Sequence, residues 1–566
     1  MDFSVQLDTL WVLVGAALVF FMQAGFAMLE AGFTRAKNAG NIVMKNIMDF
    51  ACGSLIFLLI GYGVLYGRNY DTGNIPKWAH LIFNTMFCGT SATIVSGAMA
   101  ERTKFKAYLI YSVVISALIY PVSASWVWGR GWLSTLHIGS AVGFVDFSGS
   151  ALVHMVGGIS ALLGAAFLGP RIGKYGKDGK PRGIPGHNIT LGALGIFILW
   201  VGWFGFNAAS SYGLSPAEQA EQVAGIFLAT NTSAAAAAVS AMLFTWIRYG
   251  KPDVSMTLNG ALAGLVAITA GCAVMDPWAA CITGVLAGIF AVLGIEFVEK
   301  VLKVDDPVGA VGVHGGCGLF GALAVGLFSR ENGLFVSGNG SQLAIQCVGV
   351  IAIGLWTAGM MSLLFFILKK TVGLRVSEME ELAGLDATEH GLQSAYADFL
   401  TSGSFPFLGK QEPVSDEKKK IQESTVPPEM AIPVQIDSAK REMMDQAELS
   451  KIVILTRQSK FEALKEALNE IGITGMTVTQ VLGCGMQKGQ MEYYRGTPVE
   501  TMQLLPKIQV DIVVAKIPPR KVINTIKKVL YTGHIGDGKI FVYHVENAVK
   551  VRTGEEGYYA MQGVDE

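Results

Sequence analysis

Charge in this chain is unevenly spread, sparse in its first two thirds and ordinary in the rest. Residues 1–370 are strongly apolar, whereas residues 371–566 have the mixed composition of a soluble protein. Over all 566 residues only 15% are charged and 51% are hydrophobic, against about 25% charge in an ordinary soluble chain. A backbone inside hydrocarbon must satisfy its own hydrogen bonds, which restricts it to helices or closed barrels. At about 20 apolar residues per helical span, the first region holds eleven candidates, centred near residues 20, 57, 91, 116, 155, 200, 235, 266, 289, 319 and 356. The expected fold is an all-α polytopic membrane region over 1–400, a linker over 401–449 and a separate soluble unit over 450–566.

Loop charge orients the spans. Arg35, Lys37 and Lys45 follow the first, Arg102, Lys104 and Lys106 the third, and Arg171, Lys174, Lys177, Lys180 and Arg182 the fifth. Arg248 and Lys251, Lys300 and Lys303, then Lys369, Lys370 and Arg375 follow spans seven, nine and eleven. The alternate loops offer little beyond Arg68, Lys77, Arg130 and Arg330. The positive-inside rule then puts the N-terminus outside and the C-terminal unit in the cytoplasm of a cell (inner or plasma) membrane. No basic stretch precedes the first span, so a cleaved signal peptide is not expected. The net charge of −1 gives no nucleic-acid signal. Cys272 and Cys281 flank a short outer loop and could bridge, but are expected to be packing residues.

Two aspartate–histidine pairs share one spacing. Asp146 precedes His154 by eight residues, and Asp306 precedes His314 by eight. Eight helical residues rise about 12 Å, so an aspartate at the membrane surface sets its histidine well inside a core about 30 Å thick. An ionisable group there marks a polar pathway. The two sets of five spans, one to five and six to ten, must enter the membrane in opposite senses, as in an inverted 5+5 repeat. Asp306-Pro307 reads as an N-cap followed by proline at the first helical position. Small residues after both histidines let helices approach closely, so the two imidazoles are expected to meet near the bilayer centre. The alternative is two unrelated buried histidines, each bonded to a backbone carbonyl.

Such a lumen lacks the acidic rings of cation channels and suits a small neutral hydrogen-bonding species or a proton relay. Aromatics flank it. Phe83 and Phe87 share a helix face, Trp128 precedes an outer loop, and Gly202 to Ser210 carries Trp203, Phe204 and Phe206. Aromatic faces attract cations, although rings near loops also form interfacial belts.

Ala-Gly-Phe-Ala-Met-Leu-Glu-Ala-Gly at 24–32, Gly-Ala-Met-Ala-Glu-Arg at 97–102, Asp-Phe-Ser-Gly at 146–149, Gly-Trp-Phe-Gly-Phe-Asn at 202–207, the Val-Asp-Asp-Pro to Gly-Val-His-Gly stretch at 304–315 and Thr-Val-Gly-Leu-Arg-Val at 371–376 carry a resemblance. Residues 5–400 resemble the ammonium transporter family of ammonium, methylammonium and Rhesus-type channels. The resemblance implies eleven helices, a homotrimer and one pore per subunit. It implies that Phe83, Trp128 and Ser210 recruit ammonium, that Phe87 and Phe206 stack as a gate, and that Asp146 orders the recruiting site. His154 and His314 would line the lumen, with Trp203 near its wall. The stretch from Trp128 to Asp146, with Arg130 and His137, is longer than the family pattern. On this reading ammonium binds by cation–π contact at about 0.5–2 kcal/mol per good ring, gives up its proton, and passes as ammonia.

In the soluble unit, strands are expected at Lys451–Thr456, Thr474–Leu482, Val510–Lys516 and Ile540–Val545, and helices at Phe461–Ile471 and Arg520–Leu530. This βαββαβ order is ferredoxin-like, an α+β fold. The turn from Gly533 to Lys539 offers backbone N–H groups to phosphate, and Lys550 and Arg552, read as alternating on a strand, add cations. Gly-Ile-Thr-Gly-Met-Thr-Val-Thr at 472–479, Gly-Met-Gln-Lys-Gly at 485–489, Tyr-Arg-Gly at 494–496, Leu-Pro-Lys at 505–507, Tyr-Thr-Gly-His-Ile-Gly-Asp-Gly-Lys-Ile-Phe-Val at 531–542 and Val-Arg-Thr-Gly-Glu at 551–555 make residues 450–563 similar to the PII nitrogen-signalling proteins. That resemblance implies ATP or ADP at Gly536, Gly538, Lys539, Lys550 and Arg552. It implies 2-oxoglutarate with Mg-ATP at Gln487, Gly489 and Lys507, and a pore plug at Arg495. Val499 stands where many PII proteins carry a modified tyrosine, the loop is one residue longer before Leu505, and Lys550 replaces a common arginine, losing its fork geometry.

The reading that follows is an ammonium transporter gated by a fused PII domain, with no enzyme activity expected because no nucleophile, metal cluster or catalytic constellation accompanies the histidines. An ammonium sensor with little net flux, signalling through the PII domain to other nitrogen-regulation proteins, stays open, as does water or gas conduction with ammonium incidental.

Overall fold

The computed structural model describes residues 3–67, 70–392, 395, 449–457, 460–483, 493–494, 497–498, 505–515, 517–532 and 537–561. The chain divides into two compact units. The expected linker lies outside the described residues except for Leu449, as do Gln487, Gly489, Arg495, Val499 and Gly536.

Among the described residues, ten helices are long and apolar enough to cross a membrane: Phe3–Phe33, Ala36–Tyr66, Lys77–Ala98, Phe105–Ser125, Ser150–Leu168, Ile189–Ser211, Ala217–Tyr249, Pro277–Lys300, Val311–Phe328 and Ser341–Lys370. The eighth expected span is shorter, a 15-residue helix at Val254–Ile268. It stops at Ile268, and the turns that follow bind the segment carrying Asp146. Phe147 N–H donates to Ala270 O (3.1 Å) and Ser148 N–H to Thr269 O (3.1 Å), while Ala270 N–H donates to Ser150 Oγ (2.7 Å). The early stop frees backbone groups that a continued helix would consume.

Packing follows small residues, because apolar helices in lipid gain little from burial and associate by close fit. Phe3–Phe33 lies along Ile189–Ala208, and a Cβ on Gly195 would sit 2.5 Å from Leu29 N. Gly158, after His154, meets Gly315, after His314: a Cβ there would lie 2.1 Å from Gly315 N. That contact joins the two histidine-bearing helices backbone to backbone.

The loops at one end are tied by a buried ion network. Arg171 bonds Asp305 through Nε (2.8 Å) and Nη2 (2.9 Å) and Glu101 through Nη1 (2.8 Å), and Arg35 pairs with Glu101. Burial alone would raise the Asp305 carboxyl, but Arg171 and Arg102 overcome it and hold the group well below the usual carboxylate range. Glu101 is likewise lowered, Arg171 and Arg35 outweighing burial. The segment after Lys370 docks on the same end. Asp386 accepts from Gly40 N–H (3.0 Å) and Asn41 N–H (2.7 Å), capping the start of Ala39–Ile56.

The second unit is a four-stranded antiparallel sheet. Its strands Ser450–Thr456, Thr477–Gly483, Leu505–Val514 and Lys539–His544 are ordered second, third, first, fourth, and helices Phe461–Glu470 and Pro519–Leu530 complete the ferredoxin-like alternation. Leu464, Leu468, Val522 and Ile526 pack on Ile452, Ile454, Val510 and Ile512, the inward residues at period two along each strand. The third strand starts earlier than expected, at Leu505, because it pairs with Gly483 at the base of the long loop.

Candidate functional site

Two matched turns build the site. Asp146 Oδ1 accepts from Gly149 N–H (3.0 Å), and its Oδ2 accepts from Ala151 N–H (3.0 Å) and Leu152 N–H (2.8 Å). Asp306 repeats the arrangement with Gly309 N–H (3.0 Å) on Oδ1 and Val311 N–H (2.8 Å) on Oδ2. Gly149 and Gly309 both take positive φ, 105° and 86°, which a Cβ would strain. Pro307 is therefore not the first helical residue. It lies in the turn, and Asp306 caps across it to a helix that starts three residues on. Each turn leads into a π-helical stretch, Ser150–Met155 or Val311–Gly316, a local widening common at functional sites.

The turns deliver the two histidines to one place. His154 and His314 are both buried, with Nδ1 atoms 3.2 Å apart and rings stacked at 5.2 Å and 21°. A hydrogen bond between two Nδ1 atoms needs one as donor and the other as acceptor, so the pair is held in complementary tautomers. His154 Nε2 has no hydrogen-bond partner among the described residues. Trp203 stacks on His154 at 4.9 Å and 16°, its indole N–H donating to Thr269 Oγ1 (2.9 Å).

Beyond His154 stands a second ring pair. Phe87 and Phe206 stack at 4.1 Å and 25°, and Phe206 lies 5.6 Å from His154. Trp128 meets Phe87 edge-on at 5.9 Å and is fixed by its N–H to Asp146 O (2.9 Å). Above these rings a cavity of about 110 Å³ is lined by Tyr66, Tyr70, Asn84, Phe87, Trp128, Phe147, Ser210 and Tyr212. Ser210 Oγ donates to Phe206 O (2.9 Å). Phe83 is not in this wall; its ring packs on Phe87 (4.9 Å) and Tyr212 (5.6 Å).

Sequence reasoning missed most of the wall. Tyr62, Tyr66 and Tyr70 recur every four residues, and His80 and Asn84 do the same on the next helix. Tyr66 OH donates to Asn84 Oδ1 (2.7 Å), and His80 stacks on Tyr212 at 5.0 Å and 19°. The period was visible, but nothing local tied Tyr212 to it. The long Trp128–Asp146 stretch folds as a small hairpin pairing His137 with Val142, and Arg130 lies over Tyr70 at 5.3 Å. Cys272 and Cys281 are both free.

In the second unit, Gly538 has φ 112° and lies so close to the first strand that a Cβ would be 2.1 Å from Leu455 O. Lys539 follows it in register with Leu455, and Lys507 with Val481. Lys550 and Arg552 are not on a strand: Lys550 opens a turn closed by Gly554 N–H to Lys550 O (2.8 Å), and its ammonium pairs with Glu555 at 3.2 Å. Lys550, Val551 and Arg552 alternate in type as a strand would, but Val551 is fully exposed and covers no core.

Spans of this number around a buried histidine pair define a multi-pass membrane protein. The family profile "Ammonium Transporter Family" matches residues 10–396, and "Nitrogen regulatory protein P-II" matches 449–555. The chain belongs to the ammonium transporter family and carries a C-terminal P-II domain. It is 47% identical over 440 residues to ammonium transporter Amt2 of Archaeoglobus fulgidus, covering 72% of this chain and 92% of that one. A solved structure titled "Sensor Amt Protein" matches with TM-score 0.63 and 37% identity, over 69% of this chain and 99% of that one. Candida albicans Mep2 shares the fold at TM-score 0.60 and 24% identity, over 66% of this chain and 87% of that one.

Proposed function

We propose that the chain carries ammonium across a membrane by splitting it. Ammonium binds in the cavity between Trp128, Phe87 and Ser210, gives its proton to His154 Nε2 past the Phe87–Phe206 pair, and crosses as ammonia along His154 and His314. Phe83 supports the site from behind Phe87, Asp146 orders it through Trp128 and the turn, and Trp203 walls the lumen. The observation that carries this is the stacked histidine pair continuing the stacked phenylalanine pair, with one ring nitrogen, His154 Nε2, unpaired. A buried ring nitrogen without a partner is costly, and a hydrogen-bonding guest removes that cost. Potassium matches ammonium in charge but has no proton to give up, and a cation kept whole in this apolar stretch would cost several kcal/mol.

The full architecture proposed is eleven spans with Val254–Ile268 as the eighth, an inverted 5+5 repeat, a homotrimer, an outside N-terminus and a cytoplasmic P-II domain. The paired Asp146 and Asp306 turns support the repeat. ATP or ADP bound near Gly536, Gly538, Lys539, Lys550 and Arg552, and 2-oxoglutarate with Mg near Gln487, Gly489 and Lys507, would set the 485–505 loop and its Arg495 plug. A covalent link makes such a regulator intramolecular, at an effective concentration of about millimolar. Ammonium-driven current in proteoliposomes, with and without residues after 400 and at fixed ATP, ADP and 2-oxoglutarate, tests both parts. Flux that ignores all three ligands contradicts self-gating.

One observation favours a second reading. The solved structure sharing 37% identity is titled a sensor, and this chain too has a signalling unit. An ammonium sensor with little net flux then predicts only a small binding transient in the same current measurement.

A further inference from the structure

On the other side of the histidine pair from the aromatic cavity lies a much smaller one, of about 10 Å³, with His314 and Glu30 both in its wall. That volume admits about one water-sized molecule. The rest of the wall is mostly apolar, with Phe26, Leu29 and Ile94 closing it. Glu30 belongs to the span Phe3–Phe33 and is 2% exposed. Its Oε2 accepts from Ser96 Oγ (2.9 Å) and Asn46 Nδ2 (3.1 Å). Both bonds fall on one oxygen, so Oε1 has no protein donor among the described residues. An amide oxygen would accept the same two bonds, so the hydrogen bonding does not explain why the residue is an acid. A carboxylate at membrane depth is expensive and marks an ion or proton path. The other charged groups facing it are Lys45 and Asp49, both buried on the neighbouring helix.

We propose that Glu30 accepts the proton that the histidine pair relays, through one water in this cavity, and returns it to ammonia. An N–H bond of ammonium breaks and its proton forms an N–H bond on the unpaired His154 Nε2, while the His154 Nδ1 proton passes to His314 Nδ1. An N–H bond of the protonated His314 then breaks at Nε2 and its proton goes to the water. A proton of that water forms an O–H bond on Glu30, and one positive and one negative charge disappear together. Ammonia reaching the cavity takes the proton from the carboxylic acid and leaves as ammonium, restoring the carboxylate. Ammonium split on one side of the rings is thereby remade on the other, and the cycle carries charge. This assignment rests on the transport reading.

The test uses the full-length chain in proteoliposomes as wild type and as two variants, Glu30→Gln and Glu30→Asp. Current after an ammonium jump and luminal pH change are recorded together, the second reporting uncharged ammonia. Glu30→Gln keeps an acceptor for Ser96 and Asn46. It is expected to lower the current at least about tenfold while luminal alkalinisation by uncharged ammonia, small in the wild type, grows, and Glu30→Asp to recover part of the current. Equal currents in wild type and Glu30→Gln overturn the assignment. So does a loss of current in Glu30→Gln with no added luminal alkalinisation, which is the signature of a structural role. A wild type that passes no current overturns the transport reading and this assignment with it, an outcome distinct from a live wild type with an indifferent Glu30.

Discussion

His154 and His314 are 160 residues apart in sequence and 3.2 Å apart in space, Nδ1 to Nδ1. Each is carried by a π-helical stretch that starts from a glycine of positive φ and is capped by an aspartate eight residues before the histidine. The contact fixes opposite tautomers on the two rings. Replacing either ring removes the partner that fixes the other. His154→Ala and His314→Ala are each expected to cut ammonium-driven current by at least about tenfold, and the double variant by no more than the worse single one. Additive losses in the double variant would mean that the rings act independently.

Trp128 is the cavity ring whose position is set by a hydrogen bond to the Asp146 carbonyl. Trp128→Leu removes a cation–π face worth about 0.5–2 kcal/mol. The half-saturating ammonium concentration is then expected to rise about 2- to 30-fold, with little change in maximal current. Concentration series of peak current give both numbers. If water or gas conduction were the main activity, this variant would leave it intact and lose only ammonium dependence.

The backbone contact of Gly158 with Gly315 leaves no room for a side chain. Gly158→Val forces the histidine helices apart, at a cost of about 1–3 kcal/mol. A lower thermal midpoint in detergent is expected together with lost current. Full activity with an unchanged midpoint would mean that this contact is not tight.

The Asp305, Glu101 and Arg171 cluster makes a statement about pH. Both acids are lowered in the folded chain, so their contribution to stability is complete above their unfolded values of about 4 and is lost as pH falls through the lower folded values. Thermal midpoints should be insensitive to this cluster from about pH 5 to 8 and should fall only at more acidic pH. Asp305→Asn takes the Asp305 carboxylate from buried Arg171, which keeps Glu101, and is expected to cost about 3–5 kcal/mol.

In the P-II domain, Lys550 is engaged with Glu555, and at the proposed nucleotide site a phosphate would replace that partner. ATP at about 100 times its dissociation constant should stabilise the domain by about 2.7 kcal/mol. Lys550→Ala should shrink the thermal shift at the same ATP concentration. An undiminished shift would remove Lys550 from the nucleotide site.

The spans were legible because hydrocarbon leaves the backbone one helical solution, and the histidine pair because matched Asp-to-His spacings imply matched turns. The strands of the P-II domain were legible from period two. The shortened eighth span was not, since Thr269 to Met275 is as apolar as a helix and stops only to bind the Asp146 turn. The role of Pro307 was misplaced because proline at a first helical position and proline in a capped turn look alike in sequence. The tyrosine wall and the Arg171 network were not legible because their members come from loops and helices that meet only after folding.

The most direct measurement is the current on adding ammonium to proteoliposomes of the full-length chain at several lipid-to-protein ratios on a solid-supported membrane. The account predicts a current whose decay slows as protein density falls, because vesicles with fewer transporters fill more slowly, and which vanishes in His154→Ala. A brief transient whose decay ignores protein density, or a current untouched by His154→Ala, would contradict it.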